Sequence, residues 1–400
     1  MSILFRNIRT ADCNRELKCD VLLRGGVIAA MGENLVAEEP AQVVDGRGLT
    51  LLPSFVDLHV HFRDPGLTHK EDVYTGCRAA VHGGYTTVNL MPNTKPVISD
   101  LKAVHYVEKK ARELDICDVY QTLSITKDSD GSTLSHLESQ GDLGGVKWLT
   151  DDGNGIVSTQ VMLDAMRLAR RFGVGVMLHE EDKALTPVDS YLSEDLPTYR
   201  DVRLAALTGC RTHFCHVSTA ESLSQIVSAR EKGAPVSFEV TPHHLYLNDG
   251  NGGRVAPPLR SEGNRQALIQ AVKDGVVDAI ATDHAPHTPE DKAAGMNGFT
   301  GLDLSFATCY TVLCKQNGLP LTALSRLMSY GPARLMGIPG GLIELGQPAN
   351  LAVVDLESGF VAAEEHIHSK SKNSPLLGES LWGEVLMTVK NGKVVYEKQA

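Results

Sequence analysis

From residue 55 to about 330 the chain alternates short apolar, β-branched runs with longer amphipathic stretches. The runs FVDLHVH (55–61), TTVNLM (86–91), DVYQTLSI (118–125), GVKWLT (145–150), GVGVMLH (173–179), THFCHV (212–217), PVSFEV (235–240) and VDAIATD (277–283) predict strands. Between them, EDVYTGCRAAVH (71–82), LKAVHYVEKKAREL (101–114), TQVMLDAMRLARRF (159–172) and TAESLSQIVSAREK (219–232) place apolar residues at helical spacing. Ser218 or Thr219 can cap the last of these, and Gly173 and Gly233 can stop two of them, because glycine tolerates the left-handed C-terminal position. Eight strands alternating with helices predict an α/β fold with a parallel sheet, and that number suggests closure into a (β/α)8 TIM barrel.

The flanks follow another rhythm. Residues 1–52 and 341–400 hold short alternating runs punctuated by turns, among them Asn391-Gly392, a tight hairpin signal. Each flank is too small for a good core of its own. Together they can form one small β-sandwich beside a barrel at 53–340, the N-terminal part from 1–52 and the C-terminal part from 341–400. The segment at 186–200 is expected to be an acidic surface insertion before a helix, serving as a lid or a dimer contact.

Composition narrows the classes. A chain of 400 residues with 42% hydrophobic and 22% charged residues is globular rather than disordered or fibrous. Its formal net charge of −11 and lack of a basic patch argue against nucleic acid as a partner. No apolar run is long enough to span a membrane, and the start of the chain lacks a signal-peptide core, so the expected location is cytoplasmic. The eight cysteines form no CxxC pair and read as small buried apolar residues.

Polar residues gather where the predicted barrel strands end, the face at which such barrels place their sites. His59 and His61 alternate on one strand and can reach one ion. Other strands end at Asp151-Asp152-Gly153, at His179, at His213 with His216, and at Asp283-His284. A histidine at one strand end is ordinarily a hydrogen-bonded loop residue, but ligand types at five strand ends point to zinc or a similar metal. The donors exceed what one tetrahedral zinc uses, so two metals with a shared ligand are expected, activating a hydroxide against an amide-like bond. Asp283 can both bind metal and shuttle a proton. His243 and His244 can support the site or serve as turn residues.

The segments SFVDLHVHFRDPG (54–66), GGYTTVNLMPNTKP (83–96), DDG (151–153), HVST (216–219), EVTPHHL (239–245), PPLRS (257–261) and ATDHAPH (281–287) resemble those of dihydroorotases, within the amidohydrolase superfamily. The resemblance implies His59, His61, Asp151, His179, His216 and Asp283 as ligands to two zinc ions, with Asp283 also the general base. It favours His216 over His213, three residues earlier and expected to face the opposite way. It further implies that Arg63, Asn93 and His287 hold a substrate carboxylate, with His61 close by; a guanidinium fork and an amide donor suit that group. Two departures bear on substrate preference: Ala256 stands where the family usually has asparagine, and MNGFTG (296–301) replaces its more usual Pro-Phe-Gly. Asn297 and Gly298 can still present backbone groups to a ring.

The implied activity is reversible cyclisation of N-carbamoyl-L-aspartate to L-dihydroorotate in pyrimidine synthesis. Rivals are a hydantoinase or allantoinase, whose substrates lack that carboxylate, and a catalytically inactive scaffold, for example for aspartate transcarbamoylase. A homodimer is expected. For the bridging ligand there are two candidates, Asp151 and a carbamylated Lys147. They lie four residues apart, so an unbroken strand would point both into the barrel; the Asp-Asp-Gly motif favours Asp151.

Overall fold

The computed structural model describes residues 2–37 and 40–399. The N-terminal flank supplies β1 (Ser2–Ala11), β2 (Glu16–Arg24), β3 (Val27–Gly32), β4 (Ala41–Asp45) and β5 (Thr50–Pro53). The barrel region supplies β6 (Phe55–Val60), β7 (Tyr85–Leu90), β8 (Asp118–Gln121), β9 (Trp148–Leu149), β10 (Gly175–Leu178), β11 (Thr212–Phe214), β12 (Val236–Val240) and β13 (Ala279–Ile280). The C-terminal flank adds β14 (Leu351–Val361), β15 (Ser380–Lys390) and β16 (Lys393–Glu397).

Both flanks join one hydrogen-bonded sheet of order β16-β15-β14-β5-β1-β2-β3, with β4 paired to β1. The seam is β5 against β14, antiparallel from Leu351 opposite Pro53 to Val354 opposite Thr50. Phe5, Ile8, Val21, Ile28, Leu351 and Val389 form the core on this sheet, so neither flank could bury its apolar face without the other. The β15–β16 turn uses Asn391 and Gly392 at φ 47° and 74°, the left-handed conformation that a tight hairpin requires.

In the barrel, β6-β7-β8 and β9 through β13 are two parallel groups. Parallel bridges Val60–His284 and Leu123–Leu149 join their edges and close the ring of eight. The closing bonds run from His61 N to the His284 carbonyl at 2.9 Å and from Thr150 N to the Leu123 carbonyl at 3.0 Å. Leu58, Met91, Trp148, Met177 and Cys215 fill the interior, while Val88, Leu149, Val176, Phe214 and Phe238 face the surrounding helices.

The surrounding helices start and stop where local chemistry allows. Asp100 caps Leu101–Leu114 by accepting from Ala103 N at 2.8 Å. Ser158 caps Thr159–Phe172, which ends on Gly173 at φ 71°, and Thr219 caps Ala220–Glu231. The 186–200 segment is not a surface insertion, because most of it belongs to the helix Ser190–Thr208. Glu194 and Asp195 there are buried, and Glu194 accepts from Ser218 N at 2.9 Å and from Arg260 at 3.0 Å. Their acidity read as exposure; partners on neighbouring elements make burial tolerable.

Candidate metal centre

The sequence places candidate ligands at strand ends, and the barrel brings His59, His61, His179, His216 and Asp283 to one buried point. His59 Nε2 lies 3.5 Å from Asp283 Oδ1, and His61 Nε2 lies 3.0 Å from the same oxygen. On the other side, His179 Nδ1 faces His216 Nε2 at 2.9 Å. The carboxylate between the two groups is Asp152. Its Oδ1 is 3.1 Å from His59 Nε2, 3.6 Å from His179 Nδ1 and 3.9 Å from His216 Nε2, and its Oδ2 is 3.5 Å from His61 Nε2.

Asp151, expected as the bridge, points elsewhere. Its carboxylate accepts from Thr126 N at 3.0 Å and from the Thr126 hydroxyl, and burial pushes it up to about 6 against those donors. The cause is strand phase. Trp148 fills the barrel interior and Leu149 packs outside, so Asp152 shares Trp148's face and Asp151 shares Leu149's. Lys147 lies just before this strand. Its Nζ sits 5.9 Å from the Tyr120 ring centroid at the start of the strand, remote from the ligands, so it offers no carbamate bridge.

Three site residues adopt left-handed backbone although none is glycine: Arg63 at φ 60°, His216 at φ 34° and Asp283 at φ 47°. Such strain persists where the surroundings over-determine it. At His216 it has a visible use. Cys215 points into the barrel, so regular alternation would turn His216 outward, and the left-handed turn brings it back. His213 also points inward, correcting the expectation that it faces away. It reaches Glu239 Oε2 at 3.1 Å and Ser237 Oγ at 2.8 Å instead of the ligand cluster.

Supporting residues that sequence reasoning missed surround the cluster. Glu239 Oε1 holds His59 Nδ1 at 2.9 Å, and Glu181 Oε2 lies 3.3 Å from His179 Nε2. Burial opposes ionisation of Glu239, but His213 and His59 overcome it and hold the carboxyl at about 2. Burial likewise opposes a charged Asp152, yet His59, His179 and His61 keep it well below the carboxylate range. The signal for Glu239 was its place at the end of a predicted strand, in EVTPHHL. His244 is structural: its ring contacts Thr241 Oγ1 at 2.8 Å and the Pro257 carbonyl at 3.1 Å. His284 accepts from Gly301 N at 3.1 Å.

The donor set fits a divalent metal. His59 Nε2 and Asp152 Oδ1 are buried without a hydrogen bond, and ligand atoms of His59, Asp152 and His216, and of His59, His61 and Asp283, lie within 4.8 Å of one another. Unpaired nitrogen and carboxylate lone pairs converging in a dry site are otherwise costly.

A cavity of about 430 Å³ opens on this cluster, lined by His61, Arg63, Asn93, Asp283, His287 and Gly298 among others. Asn93 ties the cluster together, with Oδ1 2.8 Å from His61 Nδ1 and Nδ2 donating to Asp152 Oδ2 at 3.0 Å. Arg63 Nη2 lies 3.3 Å from His287 Nε2, and Lys70 Nζ lies 3.4 Å from His287 Nδ1. Burial, then Arg63 and Lys70, pull His287 down to about 3, so it stays neutral between two cations. Asp291, 3.2 Å from Lys70, offsets them in part, as do Asp283 and Asp152 beside Arg63, while the guanidinium and ammonium still offer donors to an anion. Ala256 and Asn297 also line the cavity. At Gly298, φ 132°, a Cβ would lie 2.7 Å from Ala285 Cβ, so only glycine lets this loop close over the cavity.

A barrel whose strand ends converge on such a cluster is shared by metal-dependent hydrolases, and residues 50–395 match the sequence model of the amidohydrolase family, to which the chain belongs. Within that family it groups with the dihydroorotases. Those of Clostridium botulinum (42% identical over 100% of both chains), Aquifex aeolicus (38%, 96% of both) and Bacillus subtilis (36%, 100% of this chain and 99% of the relative) align along nearly their whole length. Among solved structures, dihydropyrimidinase from Brevibacillus agri superposes with a TM-score of 0.89 at 24% identity, covering 99% of this chain and 95% of that one. L-hydantoinase from Arthrobacter aurescens gives 0.89 at 23%, over 100% and 96%. These two likenesses establish the barrel fold. Among the described residues, no helix is long and apolar enough to cross a membrane.

Proposed function

We propose that the chain interconverts N-carbamoyl-L-aspartate and L-dihydroorotate, with His59, His61, Asp152, His179, His216 and Asp283 holding two zinc ions. The observation that carries the metal reading is the pair of half-sites, His59–His61–Asp283 and His179–His216, meeting at Asp152. Metal bound there supplies Lewis acidity to the reacting carbonyl and lowers the pKa of water. In the ring-opening direction Asp283, facing the cavity, takes a proton from the attacking water and passes it to the leaving ring nitrogen; in cyclisation it takes that proton from the ureido nitrogen and returns it to the oxygen that leaves as water. Arg63, with Lys70 and neutral His287, holds the substrate carboxylate, and Asn93 keeps His61 and Asp152 aligned beside it. Asn297 lines the same cavity, whereas the Gly298 backbone is engaged by Arg254, Lys292 and Asn373 and does not serve the ring.

The cationic wall supports the dihydroorotate reading over a hydantoinase or allantoinase, whose rings carry no such carboxylate. A complete ligand set argues against an inactive scaffold. We further read the protein as a cytoplasmic homodimer capable of associating with aspartate transcarbamoylase, built from a barrel at 53–340 and a flank module from 1–52 with 341–400. The deciding experiment is turnover of dihydroorotate, hydantoin and allantoin by zinc-loaded enzyme. Preference for dihydroorotate by at least about 10²-fold in kcat/KM is expected, and faster opening of hydantoin would overturn the assignment.

A further inference from the structure

A second cluster of metal-ligating side chains lies away from the candidate catalytic centre, where the barrel meets the C-terminal strands. His82 is the last residue of the helix Val73–His82. Asp303 follows the loop after β13, and His368 belongs to the segment that leads toward β15. His82 Nδ1 lies 2.9 Å from Asp303 Oδ1, and His368 Nδ1 lies 3.8 Å from the same oxygen. The two imidazoles stack, with centroids 3.8 Å apart and planes inclined by 28°.

The carboxylate is held before any ion arrives. Asp303 accepts from His368 N at 2.7 Å and from Ser369 N at 3.4 Å, so its orientation is fixed by backbone. His368 Nδ1, by contrast, is buried and has no hydrogen-bond partner, and it faces that carboxylate. A buried imidazole nitrogen without a partner is a cost that a coordinated cation would remove. The C-terminal end of the helix Val73–His82 adds the negative pole of its dipole at the same point. A tetrahedral ion with bonds of about 2.1 Å sets its donors about 3.4 Å apart, between the two separations seen here. A cavity of about 700 Å³, lined by His82, His368, Glu365 and Tyr396 among others, opens on the cluster and leaves room for water as a fourth ligand.

We propose that His82, Asp303 and His368 form a structural binding site for one divalent transition metal of the zinc type, separate from the catalytic centre. The three ligands come from segments far apart in sequence, so an ion here clasps the end of a barrel helix, the loop after the last barrel strand and the approach to β15. Closing such long loops by a metal clip is where a single site adds most to stability. Two ring nitrogens with one carboxylate favour zinc, cobalt or nickel over calcium or magnesium, which prefer all-oxygen shells.

The test uses the full-length enzyme with its catalytic centre already loaded with zinc. His368→Phe keeps a stacking ring and the backbone donor to Asp303 while removing the ligand nitrogens. After equilibration at equal, low-micromolar free zinc, wild type should carry one metal equivalent per chain more than His368→Phe, with dihydroorotate turnover unchanged between them. Added zinc should raise the Tm of wild type further than that of the variant. Crystals of the wild type grown with zinc and measured at the zinc edge provide a check that needs no variant, with an anomalous peak expected between the three side chains. Equal metal content in wild type and variant, or no peak at this position, would overturn the proposal.

Discussion

Asp283 faces the cavity with Oδ1 3.0 Å from His61 Nε2, within reach of both a metal and a substrate nitrogen. Asp283→Ala should therefore lower kcat by at least about 10²-fold in both ring opening and ring closure; retention of more than a few per cent in either direction would remove proton transfer from this residue. Arg63 is a different kind of participant. It keeps its guanidinium buried beside His287 and Lys70, and Arg63→Lys preserves charge while losing the fork. That change should reduce kcat/KM for dihydroorotate by about 10- to 100-fold, and unaltered steady-state kinetics would place the carboxylate elsewhere. At this scale most of the side chains that the barrel brings together were legible, because strand ends are visible in sequence. What was not legible is phase: adjacent aspartates at 151 and 152 look equivalent until the strand's inward face is known. His213 was misread for a related reason, since the left-handed turn at His216 breaks the alternation on which its orientation was argued.

At the scale of elements, β9 illustrates how little regular structure can set a site. Only Trp148 and Leu149 are regular strand, yet the indole inside the barrel fixes the phase that delivers Asp152 to the ligands. Gly175, which opens β10, is what admits the indole: a Cβ there would lie 2.3 Å from Trp148 Cζ3. Gly175→Ala should destabilise the fold by about 1–3 kcal/mol through overpacking, measured as a lower denaturation midpoint. It should also reduce metal content more than an alanine at an exposed glycine such as Gly141, where nothing lies within 4 Å. An unchanged midpoint would mean that Trp148 is not held as described. Helix ends were legible here because capping chemistry is local, as at Thr219 and Gly173. The helix Ser190–Thr208 was not, because its buried acids are satisfied by Ser218 and Arg260 from elsewhere in the chain.

For the whole molecule, the seam between β5 and β14 and the closure of the barrel by Val60–His284 set long-range order that composition only bounded. The same closure dehydrates the site and gives its titration a sign. His287 is pulled down to about 3 in the folded state, against about 6.5 when unfolded. The unfolded chain thus binds the extra proton first, and stability contributed by neutral His287 is present above about 6.5 and lost as pH falls toward about 3. His287→Gln should therefore lose less Tm than wild type over that interval, and parallel Tm curves for the two would contradict the burial argument. The account's central claim is that Asp152, not its neighbour, joins the two half-sites. Metal content after identical purification with zinc tests it most directly: Asp152→Asn should lose at least one equivalent per chain relative to wild type, while Asp151→Asn should retain the wild-type amount. Loss of metal from Asp151→Asn with full occupancy in Asp152→Asn would contradict it.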